Sequence, residues 1–150
     1  MRRTLGTISA FAIALGGSLV AAAPAQAAPS LRFSYAQYDS PGSDTRSNKS
    51  LNAEWISLVN TGTTAVSLKG WQIVDKSRTY TFGNVTIAGK GGKVTLHTGK
   101  GTNTKTHLYW GSGNYVWNNT GDTATLRTKA GKTHDTCTWK RKSGRTGIAC

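Results

Sequence analysis

The chain has 150 residues, 19 basic against 6 acidic, with a formal net charge of +13. That length fits one domain with room for a hydrophobic core. Six scattered carboxylates leave little for a paired-carboxylate glycosidase, and two cysteines without nearby histidine spacing make a poor metal site.

The N-terminus reads as a processing segment. Arg2 and Arg3 precede an apolar run from Leu5 to Val20, and Ala25-Gln26-Ala27 has the small-x-small form that signal peptidase cuts. Residues 1–27 are therefore expected to be a secretory signal peptide, cleaved after Ala27. The run is shorter than the roughly 20 apolar residues an anchor needs. No later stretch is longer, so no stable membrane insertion is expected. Thr4-Leu5-Gly6 does not fit the fuller twin-arginine motif, which favours general secretion. Without Arg2 and Arg3 the 19 basic residues fall to 17 against 6 acidic, a net +11 for residues 28–150.

Short strands fill the rest. Leu31 to Tyr38 alternates, with Leu31, Phe33 and Tyr35 predicted to share a face. A polar loop runs from Asp39 to Ser50. Glu54 to Asn60 is the next strand, with Ile56 and Leu58 on one face and Trp55 and Val59 on the other. Asn60 to Thr64 is a turn. Val66–Leu68 and Trp71–Val74 follow, broken at Gly70, which reads as a bulge. Arg78–Phe82, Val85–Ile87, Lys93–His97 and His107–Trp110 are further strands, and Tyr115–Trp117 leads into a turn at 118–122. Thr123–Thr128 and Thr133–Trp139 form a terminal hairpin across Lys129-Ala-Gly-Lys132. No segment keeps helical spacing. Short strands with turn signals about every ten residues predict an all-β sandwich.

Cys137 and Cys150 both lie in the exported part. An even count in an oxidising compartment predicts one disulfide. It would pin the tail to the last strand, worth on the order of 3 kcal/mol for a loop of about 13 residues. Lys140, Arg141, Lys142 and Arg145 make the densest basic cluster, and Lys129 and Lys132 flank the preceding turn. A net charge this high on a small protein points to polyanionic partners.

Four blocks, taken in order, resemble the lamin tail domain family. They are Glu54-Trp55-Ile56-x-Leu58-x-Asn60-x-Gly62; Leu68-x-Gly70-Trp71-x-x-x-Asp75 followed by Tyr80-x-Phe82; Val94-x-Leu96-x-Thr98-Gly99; and Trp117-Asn118-Asn119-x-Gly121-Asp122-x-Ala124-x-Leu126, then Gly131 and Asp135. The resemblance implies an immunoglobulin-like β-sandwich and a loose binding role. In bacteria such domains stand alone on exported proteins or beside secreted nucleases and hydrolases. The family offers no catalytic residues to carry over, and no cofactor. The basic C-terminal segment departs from the family core.

The residues themselves offer little chemistry. His97, His107 and His134 lie in three segments with no metalloprotease spacing, and each reads as a strand residue. Asp135 is expected on the face opposite His134, so adjacency makes no dyad. No nucleophile elbow or phosphate-binding loop occurs, and no metal site is predicted. Asp39, Asp44 and Glu54 could converge on a calcium ion, but their spacing matches no loop signature. Trp71 reads as a core anchor, Asp75 as an acceptor of backbone hydrogen bonds, and Glu54 as the partner of a basic neighbour. Trp110, Tyr115 and Trp117, around a Gly-Ser-Gly turn, could form an exposed strip for stacking on sugars.

The reading is a secreted, non-catalytic binding module for a polyanion, nucleic acid or anionic cell-envelope polymer, held by Lys129, Lys132, Lys140, Arg141, Lys142 and Arg145. The alternatives are a carbohydrate-binding sandwich using Trp110, Tyr115 and Trp117, and a hydrolase with an unrecognised site. The sequence gives no oligomeric state.

Overall fold

Side chains alternate cleanly through the C-terminal hairpin. Asp122, Ala124 and Leu126 are buried while their neighbours are half-exposed, and Cys137 and Trp139 are buried between exposed Thr136, Thr138 and Lys140. This is the period-2 signature of strands that cover a core on one face. The computed structural model describes residues 30–150. The signal-peptide reading and the cut after Ala27 lie outside them.

In chain order the described residues form β1 (Leu31–Gln37), α1 (Asn48–Asn52), β2 (Trp55–Asn60), β3 (Val66–Ser67), β4 (Gln72–Val74), β5 (Thr79–Thr81), β6 (Thr86–Ile87), β7 (Gly92–His97), β8 (His107–Tyr109), β9 (Gly121–Arg127), β10 (Thr133–Lys140) and β11 (Gly147–Ala149). One sheet has the order β11-β1-β2-β7-β8 and the other β10-β9-β4-β5, with a small β3-β6 ribbon. All pairings are antiparallel except β7 with β8. Phe33, Ile56, Leu58, Val94, Leu96 and Leu108 from the first sheet meet Ile73, Ala124, Leu126, Cys137 and Trp139 from the second in one core. The architecture is the expected immunoglobulin-like β-sandwich.

Several details differ from expectation. A bulge between Phe33 and Tyr35 shifts the phase of β1. Leu31 and Phe33 stay inward, but Ala36 and Tyr38 then take the core positions, and Tyr35 turns outward against Trp55 with ring centroids 5.4 Å apart. Gly70 is not a bulge. It lies in a turn closed by the Trp71 amide donating to the Leu68 carbonyl, at a φ of +79° that favours glycine. The polar loop contains α1, a single turn capped by Ser47, whose Oγ accepts from the Ser50 amide. One turn is too short to show a helical period in sequence.

No strand signal in the sequence marks β11. It adds to the edge of β1, pairing Tyr35 with Ala149 and Gln37 with Gly147. The Cys137–Cys150 disulfide forms as expected, with Cα atoms 5.5 Å apart. It does more than pin a tail. Cys137 sits in one sheet and Cys150 follows a strand of the other, so the bond ties the two layers together.

Candidate functional site

The loop at 141–146 joins β10 to β11 and crosses between sheets, so its ends are fixed by different layers. The Arg141 amide donates to the Thr120 carbonyl, and the Asp39 amide to the Thr146 carbonyl. Arg145 donates its amide to the Lys142 carbonyl, closing a turn in which Gly144 takes a φ of +71°. Beneath it the buried Tyr38 stacks on Trp139 at 5.2 Å and donates its hydroxyl to the Arg145 carbonyl at 3.0 Å. The backbone is thus held while Lys140, Arg141, Lys142 and Arg145 are exposed. A depression of about 380 Å³ lies among Arg141, Lys142 and Arg145, walled by Asp39, Asn119 and Ser143. Asn119 donates to the Asp39 carboxylate at 2.9 Å. Burial, and then the charge of Asp44, push the Asp39 carboxyl above its ordinary pKa.

Lys129 and Lys132 are not part of this surface. They sit at the turn joining β9 to β10, at the far end of β10 from Lys140. Eight strand residues at about 3.3 Å each put roughly 25 Å between the two groups. Both lysines are exposed, and the stem of Lys129 lies over Gly70.

The aromatic residues do not make an open strip. Trp117 is 3% exposed and packs edge-on against Trp110 at 5.9 Å and Trp139 at 5.7 Å. Trp110 is half-buried against the core, and the Tyr115 hydroxyl is held by Ser50 Oγ at 2.7 Å. These rings join loops to core.

The acidic trio does not converge either. Glu54 is fully buried, and its Oε1 accepts from Thr98 Oγ1 at 2.5 Å and from the amides of Val116 at 2.8 Å and Trp117 at 3.4 Å. Its Oε2 is buried without a hydrogen-bond partner. Glu54 therefore meets hydroxyl and backbone donors, not the basic neighbour expected. Desolvation raises its pKa to about 7 against the opposing hydrogen bonds, with a further push from Asp44. Among the described residues no group of three or more His, Cys, Asp or Glu gathers for a metal ion. Asp75 does accept a backbone hydrogen bond, from Lys76. Its own pKa is raised by burial and then by the facing Asp122 carboxyl.

The histidines are placed in ways the sequence did not disclose. His97 Nδ1 lies 2.8 Å from the Asn52 carbonyl, and its Nε2 lies 3.0 Å from His107 Nδ1. His134 Nε2 lies 2.9 Å from the Leu31 carbonyl, while Asp135 accepts from the Phe33 amide at 2.7 Å. An irregularity between Thr133 and Asp135 lets both neighbours reach β1, so they do not take opposite faces as strict alternation predicts. Each histidine faces another ring or a backbone carbonyl, an arrangement that does not assemble a hydrolytic dyad.

The family model of the Lamin Tail Domain matches residues 24–141. The chain belongs to the lamin tail domain family. A comparison with curated proteins finds no match. The lamin tail domain is an immunoglobulin-like, non-catalytic module, in keeping with the sandwich described above. The match stops at Arg141, so Lys142, Arg145, β11 and Cys150 of this lamin tail domain lie beyond the matched region. No helix among the described residues is long and apolar enough to cross a membrane.

Proposed function

We propose that this lamin tail domain is exported after cleavage behind Ala27 and acts as a non-catalytic module that binds polyanions through Lys140, Arg141, Lys142 and Arg145. The ligand class is nucleic acid or an anionic cell-envelope polymer. One observation carries the reading: Arg141, Lys142 and Arg145 are exposed on a loop whose backbone is fixed at both ends and underneath, with Lys140 exposed beside them at the end of β10. A held loop loses less conformational entropy on binding than a free tail. The disulfide is in keeping with an oxidising compartment. Lys129 and Lys132, at the distant turn, are a separate weaker contact on the same ligand if it is long.

The test is retention on heparin and on duplex DNA as salt is varied. Four phosphate contacts give a log–log slope of about −3.6 on DNA. Replacing Arg141, Lys142 and Arg145 by Gln reduces it to about −0.9, whereas replacing Lys129 and Lys132 has the smaller effect. Retention that does not respond to salt, or that survives the triple substitution unchanged, overturns the reading.

A further inference from the structure

We propose that His97 and His107 form a two-histidine site for a divalent transition metal ion at the β7–β8 edge of the sheet. The two residues are ten apart in sequence and come together only because β8 returns parallel to β7, pairing Thr95 with His107 and His97 with Tyr109. Their facing nitrogens, His97 Nε2 and His107 Nδ1, are 3.0 Å apart. Metal–nitrogen bonds of about 2.0 Å hold cis ligands about 2.8 Å apart at a square-planar centre and about 3.3 Å apart at a tetrahedral one. The observed spacing falls between these, but the two nitrogens now face each other in line, so an ion replaces the shared hydrogen only when the exposed His107 ring swings aside and both lone pairs converge on one point.

The surroundings prepare one ligand and free the other. His97 is half-buried, and its Nδ1–H donates to the Asn52 carbonyl. That bond fixes the tautomer and leaves Nε2 as the lone-pair nitrogen, the arrangement that commonly backs a metal-bound histidine. The Tyr109 ring stacks on His97 at 5.2 Å and holds its plane. His107 is exposed and can reorient. On binding, its proton moves from Nδ1 to Nε2, which exposes the Nδ1 lone pair without net proton release. Two imidazoles without a carboxylate select Cu²⁺, Ni²⁺ or Zn²⁺ over Ca²⁺ and Mg²⁺. The remaining coordination positions fall to water or an incoming ligand. Lys100 and Lys105, close in sequence to the two ligands, disfavour a bare dication and keep the affinity moderate.

The experiment is calorimetric titration of the full chain, disulfide intact, with Cu²⁺ and with Ni²⁺ in a non-coordinating buffer. The expected result is one ion bound in the micromolar range, weakened about tenfold or more by His107→Ala and by His97→Ala, and unaffected by His134→Ala. Because His97 also holds Asn52, the exposed His107→Ala is the deciding variant, with its fold checked by circular dichroism. Electron paramagnetic resonance of the Cu²⁺ form should report two imidazole nitrogens in the natural protein and one in His107→Ala. Binding no tighter than millimolar, or His107→Ala binding as tightly as the natural chain, overturns the site.

Discussion

The Asp135 carboxylate accepts a hydrogen bond from the Phe33 amide at 2.7 Å, although the two residues belong to different sheets. β11 covers β1 only from Tyr35 to Gln37, so the edge at Leu31–Phe33 needs another partner. Asp135 and His134 supply it with side chains. Asp135→Ala leaves a backbone donor unpaired and should destabilise the fold by about 1–3 kcal/mol. Urea unfolding of the variant measures this, and an unchanged midpoint would show that water replaces the carboxylate without loss.

Glu54 predicts an inverted pH dependence. Its folded pKa is raised to about 7 from 4.5, first by desolvation. The folded state then holds a proton that the unfolded state releases, so this group's contribution is full below the unfolded pKa and is lost as pH rises through about 7. The loss is on the order of 3 kcal/mol. Glu54→Gln, which keeps a carbonyl acceptor for Thr98 and Val116, should flatten stability between pH 5 and 8. Denaturation midpoints across that range, compared between the two proteins, check it.

Replacing Cys137 and Cys150 together by Ser should cost on the order of 3 kcal/mol. The loss should be local first. β11 makes only three paired positions with β1, so hydrogen exchange at the amides of Ile148 and of residue 150, which donates to the Ser34 carbonyl, should accelerate before the β2–β7 pairing does. On polyanion resin the same variant should elute at lower salt, because the loop carrying Arg141 and Arg145 loses one fixed end.

Gly70→Ala forces a β-carbon into a φ of +79°, where it also meets the Lys129 side chain at 3.0 Å. A cost of about 1–2 kcal/mol is expected from the backbone alone. Thermal melting of Gly70→Ala against Gly83→Ala, whose β-carbon meets nothing within 4 Å, separates conformational strain from a general glycine effect.

The strands whose alternation is unbroken were legible in sequence. Ile56 with Leu58, and Ala124 with Leu126, carry a period that only a sandwich face satisfies. The failures occur where the period is interrupted or where pairing is remote. Alternation assigned Tyr35 to the core because nothing in LRFSYAQ marks the bulge. Three residues, Gly-Ile-Ala, are too few to announce β11. Lys129 and Lys140 share one charge sign and nearby positions, yet a straight strand holds them apart. The approach of His97 to His107 depends on the parallel return of β8, which local pattern does not encode. Glu54 beside Trp55 looks like an exposed strand start. Its burial follows from the Val116–Trp117 loop folding over it.

The five-stranded sheet ends in a three-residue strand on either side, β11 and β8. Such short rims give a neighbouring chain too little backbone to add another strand, and Lys105 stands near one of them. Addition of a further strand to this five-stranded sheet is therefore disfavoured at both of its rims.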